Sequence, residues 1–269
     1  MSDVLYLKRK KQTRHAFLFI GLLILLFSMV TDRGGEWRQV WEKLPLLLTG
    51  SMHGWPLNGG FILNIFIGIA SMAIATVLGL FLGLMMLAKR RWLSIPARAV
   101  MNFLRNAPWL VLLFSMLYLL PYRVEWLGFQ FTLSPLFKAI VGLSLPTAAN
   151  FAEVIRGAVN SVHSGQWESA RSLGYSQWQI YRIVILPQAL RRIIPGWMNL
   201  YALLAISTAL ATVTGVQEVV TLLRTTLATE SEGSLVYFYV TVLLMFFCYC
   251  YPIALLARRL ENQTKGDAI

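Results

Sequence analysis

Residues 166–191 read QWESARSLGYSQWQIYRIVILPQALR, a polar, turn-broken stretch inside a 269-residue chain otherwise made of long apolar runs. Its local chemistry resolves into two helices. Ser164 is placed to cap a first helix over residues 165–173, with Glu168 towards the N-terminal end that the helix dipole makes favourable for negative charge. Gly174 stops that helix, because glycine takes the left-handed conformation that a helix C-terminus asks for. Ser176 and Gln179 have capping-box spacing, and Ile180, Ile183 and Val184 give a second helix an apolar stripe that Pro187 is expected to kink or end. The product is a compact helix-turn-helix knob.

The flanks say where such a knob would sit. Hydrophobic residues make up 57% of the chain and charged residues 13%, a composition outside that of soluble domains and typical of a polytopic membrane protein. About 20 apolar residues cross a bilayer as a helix, and six windows approach or exceed that: 16–30, 61–88, 100–120, 135–159, 194–219 and 235–257. The expected fold is an all-α membrane protein. With the N-terminus inside, 18 of the 24 Lys and Arg fall on inner loops and helix ends, so the positive-inside rule puts both termini and the knob in the cytoplasm. The stretch KRKKQTRH before the first window mimics a signal peptide, but no small-residue cleavage site closes the run, and it reads as a retained helix. Cys248 and Cys250 lie within the sixth window and suggest neither a disulfide frame nor a metal site.

Three readings compete for the knob. Arg171, Arg182, Arg191 and Arg192 on a helix-turn-helix could enter a DNA groove, but spans within about ten residues on either side leave no freedom to dock on a duplex, so nucleic acid is set aside. An amphipathic linker lying on lipid headgroups is the plain alternative. A rigid, capped, glycine-turned pair presents a fixed shape instead, which favours docking of another protein.

Glu168-Ser169-Ala170, then Gly174, then Val184-Ile185-Leu186-Pro187 resembles the EAA loop of binding-protein-dependent ABC importer permeases, with Ser169 for the first alanine and Val184 for isoleucine. NFLRNAPWLVLLF at 102–114 resembles the F-R-G-T-P-L-L-V segment of the polar amino acid branch, keeping Arg105 and Pro108. AEVIRG at 152–157 is similar to its A-E-I-F-R-G stretch, and STAL at 207–210 to part of the next helix in histidine-type members. The resemblance implies a type I ABC importer transmembrane domain with a five-helix core and one extra N-terminal helix. Residues 1–58 then form an N-terminal segment, first helix and external loop; 59–260 the permease domain, with the coupling loop at about 163–190; 261–269 a cytoplasmic tail.

That family implies a division of labour. No G-x-x-x-x-G-K-[ST] phosphate loop occurs in the chain, so it is expected to be no enzyme and to bind no cofactor itself, with ATP and Mg used by a partner ATPase dimer. Glu168, Ser169, Ala170 and Gly174 are the expected coupling residues, and Leu186 and Pro187 set how the knob joins the fifth helix. A second permease subunit, a distinct homologue or an identical copy, and an extracytoplasmic solute-binding protein complete the expected assembly in the bacterial inner membrane.

Polar residues inside spans are costly unless paired or lining a cavity. Pro146, Asn150 and Glu153 recur at spacings of four and three on one face of the fourth window, joined by Thr147, and could line a path for an amino acid's ammonium and carboxylate. Glu153 pairing with Arg156 three residues on is the structural alternative. Asn64, Ser207 and Thr208 are further pathway candidates, against a partner-helix contact for Asn64 and hydrogen bonds to the preceding turn for Ser207 and Thr208. Gly79 and Gly83 form a G-x-x-x-G pair and read as close helix packing. Trp37, Trp41, Leu44 and Leu48 make one stripe of an expected interfacial helix on the outer surface, with contact to a solute-binding protein as the alternative. None of the three histidines has ligand spacing. A gradient-driven secondary transporter or channel is the rival class, expecting midplane acids and internal repeats where the chain has only Glu153 towards one end. An intramembrane enzyme would need paired catalytic residues at one depth, which the sequence lacks.

Overall fold

A computed structural model describes residues 35–266 apart from 127, 128 and 231. The expected first span at 16–30 lies outside the described residues. The described chain is helical except for one two-stranded hairpin, β1 (Arg123–Trp126) paired antiparallel with β2 (Phe129–Thr132), Arg123 opposite Thr132. The helices are α1 (Glu36–Thr49), α2 (Gly60–Leu87), α3 (Arg91–Asn106), α4 (Trp109–Leu119), α5 (Pro135–Asn160), α6 (Ser164–Ser172), α7 (Gln177–Thr214), α8 (Val219–Leu227) and α9 (Leu235–Gly266). One end of the bundle carries the hairpin and the other the knob.

α5 is the central element, with α2, α3, α4 and α7 packed around it and α9 against α7. By length and composition α2, α7 and α9 can each cross a membrane; α3 and α4 together make a fourth candidate, bent by 104°. α5 is long enough, but Lys138, Asn150, Glu153 and Arg156 make it too polar to qualify by the same measure. A helix of that character is tolerable in lipid only where neighbouring helices sheathe it. The sheath is tight. A Cβ on Gly79 would stand 2.7 Å from the Ala148 carbonyl oxygen, and one on Gly83 3.2 Å from Cβ of Ile155, so the glycine pair is where α2 and α5 touch. At the hairpin end Lys138 is buried and donates to the carbonyls of Leu117 (2.9 Å) and Leu120 (2.6 Å), meeting the exposed C-terminal dipole of α4.

The expected continuous span at 100–120 is corrected by the structure. Pro108 has no N–H to donate and pushes the residue before it out of the helical region, and Ala107 accordingly sits at φ −72°, ψ 136°. The helix stops there and restarts at Trp109 in a new direction. Pro187, by contrast, neither ends nor breaks its helix. A six-residue π-helical stretch, Ile180–Ile185, precedes it, and the wider turn receives the proline without interrupting the 38-residue run of α7. The stripe expected on α1 is also turned. Trp37 packs edge-on to Tyr237, and Val40 and Leu47 are buried against Phe61, Val219 and Phe238, while Trp41 is 65% exposed. α1 is therefore docked on the ends of α2, α8 and α9.

That docking converges on a buried junction at the hairpin end. Gly60, at φ 68°, lies so close to α1 that a Cβ would meet the Leu47 carbonyl oxygen at 2.6 Å, and its N–H donates to Gln217 O at 2.9 Å. One turn on, Asn64 Nδ2 donates to Glu218 Oε2 (3.0 Å) and Thr208 Oγ1 (3.2 Å), and its Oδ1 accepts from Val219 N (3.0 Å). Glu218, 0% exposed, caps α8 by accepting from the backbone N–H of Val220 and Thr221 and from the Thr221 hydroxyl.

Two outcomes follow for stability, read as the thermal midpoint of the detergent-solubilised protein. Gly79→Val drives a side chain into the α2–α5 contact and lowers the midpoint steeply, whereas Gly157→Ala on α5, where an added Cβ meets nothing within 4 Å, leaves it unchanged or raises it. Glu218→Ala orphans buried donors and costs on the order of 3 kcal/mol; a midpoint equal to the parent's would show that the junction is not supporting the hairpin end.

Candidate functional site

The knob is built as its local chemistry requires, with one change at its start. His163 rather than Ser164 caps α6, its Nδ1 accepting from Gly165 N at 3.1 Å. α6 ends in a paired reverse turn: Tyr175 N donates to Ala170 O (3.1 Å) and Gly174 N to Arg171 O (2.9 Å), with Gly174 at φ 77°. The capping box then starts α7, Ser176 Oγ accepting from Gln179 N and Gln179 Oε1 accepting from Ser176 N at 2.8 Å. Trp167 stands edge-on to Tyr181 across the two helices, and Arg192 reaches back to Ser161 O at 2.9 Å, so the pair is fixed to the bundle.

The coupling candidates separate by burial. Glu168, Ser169, Gly174, Leu186 and Pro187 are exposed on the knob, with Leu186 and Pro187 directly after the π-helical stretch. Ala170 is buried with Val159, Val162, Ile180 and Ile185, so it holds the knob together from inside. Two residues that sequence reasoning passed over complete the surface: Leu173 is 73% exposed and Trp178 70% exposed, either side of the Gly174 turn. Their signal was available, since large apolar residues flanking a glycine turn in an otherwise polar knob have nothing of their own chain to cover them.

The pathway candidates fall into two groups. On α5 Thr147 is buried and donates to Leu143 O at 2.7 Å, and Asn150 Nδ2 donates to Pro146 O at 2.8 Å, leaving the Asn150 amide oxygen without a hydrogen bond among the described residues. Glu153 takes a two-pronged pair from Arg156, 2.8 and 2.6 Å, and has Arg105 at 3.8 Å, reaching over from the last turn of α3. The Pro108 bend thus delivers a guanidinium to the carboxylate stripe of α5, a meeting that sequence spacing does not show. Asn64 and Thr208 are brought together, though inside the saturated junction with Glu218, and Ser207 donates to Leu203 O at 2.9 Å. Glu218 itself escaped the sequence reading although it falls within the last residues of the 194–219 window; the structure ends the long helix at Thr214 and uses Glu218 to cap the next one. Among the described residues no cluster of three or more His, Cys, Asp or Glu could hold a metal ion.

Comparison with known proteins places this geometry. Residues 75–265 match the family model described as binding-protein-dependent transport system inner membrane component. The chain is 34% identical over 200 residues to the probable amino-acid ABC transporter permease protein YckA of Bacillus subtilis, covering 74% of this chain and 85% of that protein. It is 31% identical over 205 residues to the probable glutamine ABC transporter permease protein GlnP of the same organism, covering 75% and 90%. Its fold is similar to a crystal structure of an amino acid ABC transporter with histidines, with a TM-score of 0.63 at 23% identity over 74% of this chain and 91% of that one. A capped knob between membrane-length helices, on a fold shared with an ABC importer and a family match over most of its length, identifies the chain as a member of the binding-protein-dependent transport system inner membrane component family.

Proposed function

We propose that this chain is a transmembrane subunit of an ATP-driven amino acid importer of the bacterial inner membrane, that it forms part of the translocation pathway, and that its knob transmits the work of a separate ATPase dimer. The observation that carries the coupling role is the knob tip, where Leu173 and Trp178 lie bare around the Gly174 turn beside Glu168. Apolar side chains held rigidly in that way are what a protein cleft covers. ATP and Mg belong to the partner, and this chain binds no cofactor of its own. A second permease subunit and an extracytoplasmic solute-binding protein complete the assembly, with both termini of this chain in the cytoplasm. Relatives described as amino-acid and glutamine permeases support the substrate class.

The pathway chemistry suits a zwitterion. The unengaged amide oxygen of Asn150 can accept from an ammonium group, and Arg105, held only loosely by Glu153, has donors left for a carboxylate. Glu153 is committed to Arg156 through both oxygens, which counts against the rival reading of a gradient-driven carrier that needs a free intramembrane acid.

The coupling is tested by tagging the chain in its native membrane and purifying it in mild detergent. A phosphate-loop ATPase is expected to copurify, and Leu173→Asp or Trp178→Asp to remove it while the chain still inserts. Gly174→Ala, where space is open but the left-handed backbone costs a non-glycine residue about 1 kcal/mol or more, is expected to weaken coupled ATP hydrolysis without loss of expression. Isolation of the chain alone, with ion gradients driving uptake unaided by ATP, would falsify the proposal. A separate outcome concerns the pathway: Asn150→Leu is expected to raise KM for uptake several-fold while ATPase copurification is unchanged, and an unaltered KM would remove Asn150 from it.

A further inference from the structure

α3 packs one narrow face and leaves two bare. Ala97 and Met101 are buried against Met86, Ala149 and Ala152. At 100° per residue Arg91, Arg98 and Arg105 recur every seven positions and share one line along the helix, while Trp92, Val100 and Phe103 stand on the far side from it. Trp92 is 66% exposed and Phe103 71% exposed. Arg105 turns towards Glu153 at 3.8 Å, but Arg91 and Arg98 are exposed and make no ion pair or side-chain hydrogen bond among the described residues. Acid is also missing from the sequence around them, with no Asp or Glu between Glu42 and Glu125.

Neither bulk solvent nor hydrocarbon suits such a helix. Water leaves the tryptophan and phenylalanine uncovered, and the acyl region leaves two guanidinium groups unpaired. The 104° bend at Pro108 takes α3 out of the line of α4, and α3 packs on α2 and α5 through Ala97 and Met101 against Met86, Ala149 and Ala152. A basic stripe opposed to an apolar one, on a helix sharply bent from the one that follows it, matches the interface of an anionic leaflet.

We infer that α3 is a binding site for an anionic phospholipid of the leaflet on the knob side, with Arg91 and Arg98, two turns or about 10.5 Å apart, holding headgroup phosphate and the acyl chains lying over Trp92, Val100 and Phe103. The inference rests on the membrane reading of the chain and is independent of which solute it carries and of what docks on the knob. A lipid there lies against the bend that presents Arg105 to Glu153, so occupancy bears on how that pair is held.

The test uses the assembled transporter in nanodiscs made from phosphatidylglycerol or phosphatidylcholine, with retained lipid counted by native mass spectrometry after mild extraction. The parent is expected to keep phosphatidylglycerol in preference to phosphatidylcholine. The R91Q/R98Q double variant, which breaks no ion pair or side-chain hydrogen bond within the described chain, is expected to lower phosphatidylglycerol retention on the order of ten- to thirtyfold. Arg123→Gln at the hairpin end is expected to leave it unchanged, W92A/F103A to weaken retention of both lipids, and raised salt to mimic the arginine variant. Equal retention of the two lipids by the parent, or undiminished phosphatidylglycerol on R91Q/R98Q, overturns the inference. So does full displacement by inorganic phosphate, which would make the stripe a free-anion site, or cross-linking of residue 92 or 103 to a second permease subunit with no lipid retained. The readout does not depend on transport, so failure of the importer reading would leave it standing.

Discussion

Where Gly79 and Gly83 let α2 settle onto α5, the two backbones come close enough for the Ala148 carbonyl and the Phe151 and Ile155 side chains to fill the space that side chains on α2 would have taken. That contact allows a helix carrying Asn150, Glu153 and Arg156 to be wrapped in protein instead of lipid. In a bilayer no general hydrophobic force pulls helices together, so close van der Waals approach must do it. The other elements are arranged around this pair: α3 and α4 on one flank, α7 on another, and α9 outside α7, where Tyr201 and Tyr249 hydrogen-bond through their hydroxyls.

The two ends of the bundle solve opposite problems with the same chemistry. At the knob end, backbone groups freed by a sharp turn are met by a capping box and a glycine reverse turn, and the surface is left open. At the hairpin end, freed groups are drawn inside and closed off, Glu218 taking two backbone N–H groups and Asn64 a third. One end is finished for contact and the other for permanence. α1 belongs to the second end, since Val40 and Leu47 share a core with α2, α8 and α9.

How much of this could be read in the sequence depended on the range of the interaction. The knob was legible almost to the residue because caps and reverse turns are set by neighbours within six positions, and only the capping residue itself moved, from Ser164 to His163. The glycine pair was legible because a four-residue spacing has one common use. The span at 100–120 was misread because apolar content outweighed Pro108, whose effect on Ala107 is local but decisive. Pro187 was expected to kink or end the helix and does not end it, since a proline's clash can be relieved by a wider turn that composition does not announce. The Asn64–Glu218 and Arg105–Glu153 meetings join residues 154 and 48 positions apart, and no periodicity carries such information.

The unbroken course of α7 has a mechanical consequence. Thirty-eight residues at 1.5 Å each make a rod of about 57 Å from the capping box to the 3-10 turn at Thr208–Thr214. A tilt of about 10° imposed at one tip would sweep the other through about 10 Å by that length alone. The π-helical stretch stands within the first turns of the rod and the 3-10 turn in its last. Pro195 adds a third soft point between them, because it has no N–H for the helical ladder, and the turns beyond it, where Trp197 and Tyr201 lie stacked, carry the movement on to the 3-10 turn.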